Sequence, residues 1–337
     1  MHKKLAVSVL ITNLLLSSMF LFAVPVVGEE QGLGQVAVGI QAPTLTSRSI
    51  ADWKSSGAGG SNKTVDSALT VNTYYAFNVT VSCASTMASI TNLTIWVYDG
   101  SGTINVFNKQ HSYGFRYKNQ SGVATWYELT GNDVWTSSET YISNASCIVP
   151  TLTESSGEWV FKVKYAKVAD HTADTSEWHY KAQVYNSGGS SALGEDEDWF
   201  EFSYYREFTM AGATVNWGTL NPGDINQTAT TPASGDNYVN IVAINHASKI
   251  QWHGDADLVR TGGSGTEFPL ENVYLGQTND YNNNDGIKLT TEYQTLWDAI
   301  AAGTESTQKA AYHFITVPNP CIDGTYTYNW YAEIIST

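Results

Sequence analysis

Tyr75-Ala76-Phe77-Asn78-Val79-Thr80-Val81-Ser82 places Tyr75, Phe77, Val79 and Val81 at alternate positions, with Ala76, Asn78, Thr80 and Ser82 between them. Period two is the repeat of a strand, and this pattern describes one buried face and one wet face. The rhythm spreads outward. Leu93, Ile95 and Val97 repeat it ahead of an Asp99-Gly100 turn, and Val123 to Leu129 continues it. Trp159, Phe161, Val163 and Tyr165 share one face, as do Trp178, Tyr180, Ala182 and Val184. Ser55 to Asn62, reading SSGAGGSN, has loop composition. Short alternating runs separated by Gly- and Asn-rich turns predict a β-sandwich.

A second run follows with different punctuation. Phe200, Phe202 and Tyr204 alternate, Ala213 to Trp217 is a short strand, and Leu220-Asn221-Pro222-Gly223-Asp224 is a strong turn. Val239, Ile241, Ala243 and Asn245 alternate, and Tyr326 opens a final strand ending at Ile335. One segment breaks the period. Tyr293, Leu296, Trp297 and Ile300 fall at i, i+3, i+4 and i+7, with Thr291 as a cap and Gly303 beyond, so Thr290 to Ala302 predicts a short helix. The expected fold class is therefore all-β. Two tandem β-sandwich domains span residues 29–194 and 199–337, with the helix in the second and an acidic linker at 195–198 between them.

The composition agrees. Aromatics make up 12% of the 337 residues and charged residues only 15%, which is not a disordered composition. The formal net charge of -15 argues against nucleic acid, whose phosphates need clustered Lys and Arg. It suits a self-repelling extracellular surface. Met1-His2-Lys3-Lys4 is a short basic region, Leu5 to Val27 is apolar, and Val26-Val27-Gly28 offers small residues before Glu29-Glu30. This pattern predicts an N-terminal signal peptide over 1–28, cleaved after Gly28, and a secreted or cell-surface protein. Membrane contact is then confined to that segment before cleavage. The alternative is an uncleaved anchor, since the run is long enough to span a bilayer.

Export permits disulfides. Cys83 and Cys147 each end a β-like run in the first domain, and a bridge between them would stabilise by about 3–4 kcal/mol, leaving Cys321 odd. N-x-S/T triplets stand at Asn62, Asn78, Asn92, Asn119, Asn144 and Asn226 and are candidate glycosylation sites. Two places gather carboxylates. Glu195, Asp196, Glu197 and Asp198 follow the flexible Ser187-Gly188-Gly189-Ser190-Ser191, and they read either as a solvated charge run or as an inter-domain calcium clamp. Asn279 to Gly286, with Asp280 and Asp285, reads as an Asn-rich turn or as a calcium loop. It is not an EF-hand, because the glycine and the final acid stand one position late. Calcium is thus the one cofactor the sequence suggests.

Two resemblances add to this reading. Ala42-Pro43-Thr44-Leu45, the Tyr75 and Leu93 strands, and the Trp159 and Trp178 stretches together resemble immunoglobulin-like domains of secreted archaeal surface proteins over about 150 residues. Such domains often place an Asp where Cys83 stands, so no calcium site is carried over there. AGATVNWGTLNPGD, YVNIVAINHASKIQWHGDADL and the closing GTYTYNWYAEI are similar to surface-filament subunits of the TasA/camelysin kind. The WxL tripeptide of wall-binding domains is absent, so peptidoglycan binding is not implied.

No GxSxG, HExxH, phosphate-binding loop or dinucleotide fingerprint occurs, and the expectation is a protein that is not an enzyme. Two functional classes remain. The first is a structural or adhesive cell-surface protein whose Gln35 to Ala42 strand either completes a sheet of its own domain, as most strands do, or adds to the sheet edge of another copy. The second is a carbohydrate-binding module or the non-catalytic part of a glycan-active protein, with surface glycans stacked on exposed Trp and Tyr.

Overall fold

The computed structural model describes residues 20–21, 35–36 and 40–337, apart from 54–58, 64–66, 172–177, 194–199, 213, 233–235, 263–266 and 284. The acidic run Glu195 to Asp198 lies outside the described residues. Of the strand expected over Gln35 to Ala42, β2 (Gln35–Val36) pairs with β1 (Phe20–Leu21). Residues 40–43 are not strand, and the Gln41 carbonyl accepts from Asn186 Nδ2 of the same chain at 2.8 Å.

The first sandwich is built from β3 (Thr44–Trp53), β4 (Gly59–Asn62), β5 (Ser67–Leu69), β6 (Tyr75–Ser82), β7 (Ile90–Tyr98), β8 (Ser112–Gln120), β9 (Val123–Gly131), β10 (Val134–Thr136), β11 (Ser156–Val163), β12 (His179–Asn186), β13 (Gly189–Leu193) and β14 (Phe200–Phe202). One antiparallel sheet runs β10-β9-β8-β7-β12-β13, and the sheet β11-β6-β3-β4 faces it. Between them lies a single core. Phe77, Val79 and Val81 from β6, and Trp159, Phe161 and Val163 from β11, meet Leu93, Ile95 and Val97 from β7, Phe115 and Tyr117 from β8, and Ala182 and Val184 from β12. The alternation read at Tyr75 to Ser82 is therefore the inward register of β6.

The boundary between the sandwiches falls later than the linker at 195–198. β14 pairs in parallel with β5, and Phe200 and Phe202 belong to the first core. Phe200 stacks on Trp178 with centroids 6.2 Å apart, and Phe202 meets Trp178 and Tyr165 at 5.1 and 4.9 Å. Aromatic burial of this kind outweighs a break in composition, because each such ring hides a large apolar area.

The second sandwich comprises β15 (Arg206–Ala211), β16 (Gln227–Thr228), β17 (Asp236–Ile244), β18 (Ser248–Gly254), β19 (Leu258–Arg260), β20 (Glu267–Phe268), β21 (Val273–Gly276), β22 (Ile287–Lys288), β23 (Gln294–Ile300), β24 (Glu305–Ile315), β25 (Tyr326–Thr327) and β26 (Trp330–Ser336). The sheet β15-β17-β24-β21-β22 packs on β23-β18-β26 and β20-β19-β25 around Val239, Ile241, Ile250, Trp252, Val273 and Ile334.

The helix expected over Thr290 to Ala302 is instead β23, an edge strand on β18. The physical reason is that i and i+4 share a face in both geometries. Leu296 and Ile300 point into the core as a strand requires. Trp297 lies half-buried, its indole N–H donates to the Ala310 carbonyl at 3.0 Å, and Lys309 covers its ring at 4.4 Å. Two register shifts between β18 and β23 accommodate the irregular spacing.

The Cys83–Cys147 bridge is also corrected, since both are free thiols. Cys83 N–H donates to the Ser155 carbonyl, while Cys147 Sγ accepts from Lys162 N–H. The seven steps from Ser155 to Lys162 span roughly 23 Å of extended chain, and a disulfide needs Cα atoms within about 7 Å. Burial pushes the Cys147 thiol up to about 12, so it stays protonated. The expected outcome is that reductant leaves the unfolding temperature unchanged. Thiol titration in denaturant without reductant should count all three cysteines; a count of one would contradict the register.

Two buried histidines give the fold a pH dependence. His313 is fully buried in the second core with Nε2 3.1 Å from Asn237 Oδ1, and burial pushes its imidazole down to about 3. His246 is pushed down to about 4 by burial first, then by Arg206 and His171. Their unfolded values sit near 6.5, so the unfolded chain binds protons that the folded chain refuses. This contribution is complete above pH 6.5 and is lost as pH falls toward 3–4. Thermal melts between pH 7.5 and 5.5, where carboxylates stay ionised, should show falling stability, and His313→Asn should flatten the slope.

Candidate functional site

The outer face of the six-stranded sheet is where the first sandwich departs from a plain scaffold. Because the odd residues of β7 from Leu93 to Val97 point inward, Asn92, Thr94 and Trp96 point outward. The register places their neighbours. Thr94 pairs with Arg116 on β8 and Gln183 on β12; Trp96 pairs with Gly114 and Lys181; Asn92 pairs with Lys118 and Tyr185. An open depression of about 340 Å³ lies over this grid, walled by Ile104 and Asn105 on one loop and Asp133 at the β9–β10 turn. That volume is in the range of small-ligand sites.

Its floor is ordered by a chain of polar contacts. Arg116 Nε donates to Thr94 Oγ1 at 3.1 Å, and Thr94 Oγ1 donates to Asn92 Oδ1 at 3.2 Å. Trp96 Nε1 donates to Asn105 Oδ1 at 2.9 Å, and Asp133 N–H donates to the Asn105 carbonyl at 2.8 Å, so the two walls hold each other. The Arg116 guanidinium lies 3.7 Å from the centre of the Trp135 ring, a cation–π contact. Burial pulls its pKa below the usual arginine value, with Tyr185 and Asp133 opposing. Gly114 makes room for this stack. A Cβ there would stand 3.0 Å from the edge of Trp135 and 3.2 Å from Leu129.

The wall loop is clamped at its base. Asp99 is buried; its Oδ2 lies 2.7 Å from His111 Nδ1, and its Oδ1 accepts from Ser101 N–H at 2.8 Å. Gly102 sits against the His111 carbonyl, where a Cβ would approach to 2.2 Å. Asp170 completes a group with Asp99 and His111 whose ligand atoms all lie within 4.8 Å, and burial pushes the Asp170 carboxyl up. Among the described residues this is the one cluster with metal-ligand chemistry. A cation there would have to displace the Asp99–His111 contact.

The carboxylates expected to hold calcium in the second domain accept hydrogen bonds within their own turn. Asp285 accepts from Gln277 N–H at 3.2 Å, Thr278 Oγ1 at 2.7 Å and Asn283 Nδ2 at 3.0 Å, and Asp280 accepts from Asn282 N–H at 2.9 Å. Each closes its own turn, as Asx side chains do. The sequon asparagines separate by burial. Asn62 is exposed, whereas Asn78 is buried with Nδ2 donating to Ser49 Oγ at 3.2 Å, so the folded chain cannot take a glycan there. Asn92 lies in the depression, and Asn119, Asn144 and Asn226 are half-buried.

Sequence reasoning missed the depression because its side chains come from three strands far apart in the chain. The available signal was a Trp on the polar side of an otherwise regular strand, at Trp96.

No family model matches the chain, and no curated protein matches its sequence. Among solved structures it is similar to the C-terminal globular domain of an oligosaccharyltransferase from Pyrococcus abyssi, at 8% identity and a TM-score of 0.15. The match covers 88% of this chain and 48% of that one, so this chain spans about half its length. So low a score supports no structural argument.

Gly114→Val should force Trp135 off the sheet, lower stability by about 1–3 kcal/mol as overpacking does, and shift tryptophan emission to the red. Unchanged emission and melting would show that Trp135 is not held by the gap at Gly114.

Proposed function

We propose that this is a non-enzymatic, exported β-sandwich protein that binds carbohydrate on the outer face of its six-stranded sheet. The observation behind this reading is the depression of about 340 Å³ floored by Asn92, Thr94, Trp96, Gln183 and Tyr185. Trp96 and Thr94 are nearly covered, and the Asn92 and Gln183 amides beside the half-exposed Tyr185 ring offer what sugar hydroxyls and a ring face need, on a rigid sheet that lowers the ordering cost. The immunoglobulin-like resemblance of the first sandwich and the filament-subunit resemblance of the second fit a cell-surface setting. Screening against a glycan panel should give ligands whose binding is lost in the double variant Gln183→Ala, Tyr185→Ala while melting is retained. No binding to any glycan at millimolar concentration would sink the reading.

A structural cell-surface role is the second reading, and the junction favours it. Lys109 pairs with Glu305 and Lys167 with Glu207, and His171 N–H donates to the Asn245 carbonyl at 2.9 Å. These contacts bind the two sandwiches together as a spacer would need. Imaging of the purified protein and of the native cell surface distinguishes a filament or lattice from a diffuse coat. In this reading Gln35 to Ala42 is the segment that would add to the sheet edge of another copy, with the Gln41 carbonyl held by Asn186 of its own chain.

A further inference from the structure

The chain as a whole is acidic, and the depression is not. The chain has 32 Asp and Glu against 17 Lys and Arg. Yet two cations, Arg116 and Lys181, line this one site with a single carboxylate, Asp133. They flank the central strand β7 from opposite sides, Arg116 opposite Thr94 on β8 and Lys181 opposite Trp96 on β12. With strands about 4.8 Å apart, their Cα atoms stand roughly 10–12 Å from each other across the floor, about the span of a disaccharide. Among the described residues neither makes a carboxylate contact within salt-bridge distance, a state they share with most lysines of the chain, so what sets them apart is that they line one depression together.

Arg116 is also set up as a receptor. Its Nε is taken by Thr94, and its plane is fixed on Trp135, so both the rotamer and the orientation are settled before any ligand arrives. Two Nη groups remain as donors. A half-buried guanidinium gains most from a bidentate anionic partner, and a carboxylate matches its fork. In a protein this acidic, a cationic floor also selects which anions are held, because the surrounding field repels any that cannot reach both charges.

Resting on the carbohydrate reading, we propose that the depression formed by β7, β8 and β12 recognises an acidic sugar, with the carboxylate of a hexuronic acid residue seated on Arg116 and Lys181 on the far side of the floor. The sugar hydroxyls then meet Asn92, Gln183 and Tyr185.

The test uses the full chain and two polymers with the same backbone, polygalacturonate and its fully methyl-esterified form. Binding is measured by calorimetry at low and at moderate salt. The acid form should bind about tenfold or more tightly than the ester, the size of one charge-assisted pair, and added salt should erode the difference. Arg116→Gln should remove the preference and Arg116→Lys should keep part of it. Because Arg116 also supports the floor, Lys181→Gln serves as an independent variant that leaves the stack on Trp135 in place, and it should reduce the preference as well. Equal binding of acid and ester overturns the acidic-sugar assignment and leaves the carbohydrate reading standing. Failure of both polymers and of the wider glycan panel overturns both. A preference for the acid that persists unchanged in Arg116→Gln and Lys181→Gln places the anion elsewhere and overturns the assignment.

Discussion

The register of β7 between β8 and β12 is the constraint on which the first sandwich and its outer face both depend. Leu93, Ile95 and Val97 are fully buried, and a slip of one residue would carry them to the outer face, where Thr94 and Trp96 now lie covered, and bring Asn92, Thr94 and Trp96 into the core. Driving those polar groups into the apolar core would cost several kcal/mol. The core therefore enforces the register, and the register alone decides which outward side chains become neighbours. Arg116, Thr94 and Gln183 form one row because Phe115, Ile95 and Ala182 pack on the other side of the same strands. The site is in this sense a by-product of the core's precision, placed on rigid strands.

The same economy shapes the join to the second sandwich. Trp178, Tyr165, Phe200 and Phe202 close one end of the first core, and the chain leaves that cluster directly into Tyr205 and β15. Asn245 receives this segment, its Oδ1 accepting from Tyr205 N–H at 2.7 Å and its Nδ2 donating to the Ser203 carbonyl at 3.0 Å. A buried amide satisfied on both sides fixes a backbone path more strictly than apolar contact does, since each lost bond leaves a desolvated polar group. The exposed ion pairs at the junction add little by comparison.

How much of this was legible depends on range. Period-two alternation is local, so the strands at Tyr75, Leu93, Trp159 and Trp178 could be read directly. The segment at Thr290 could not, because Leu296 and Ile300 satisfy both the helical and the strand period, and only pairing with β18 decides between them. Composition misled at Phe200, where a Gly- and Ser-rich stretch and an acidic run suggested that the first domain had ended, while two rings beyond it still belonged to the first core. Cys83 and Cys147 were close in pattern and distant along β11, a distance that no spacing in sequence reports. The depression was the least legible of all. Asn92, Arg116 and Gln183 are brought together by two strand pairings, and each taken alone is an ordinary polar residue on a wet face.

The carboxylates show what many acidic residues do in a fold of this kind. Glu128 is almost fully buried, and its two oxygens accept from Ser138 Oγ at 2.6 Å and from the backbone N–H groups of Thr140, Tyr141 and Ile142 at 3.1, 2.7 and 3.1 Å. One side chain thus anchors a whole strand-free segment to β9. Asp99 does the same for the wall loop, Asp285 for the turn after β21, and Asp255 for Asn329, whose N–H and Nδ2 it receives at 3.2 and 2.7 Å. A sheet protein with many long loops has backbone N–H groups that no ladder satisfies, and an ionised carboxylate is the strongest acceptor available to collect them. Acids spent in this way are structural. The outer face of the six-stranded sheet differs in what it gathers, with Arg116 and Lys181 set around the depression beside one carboxylate, Asp133.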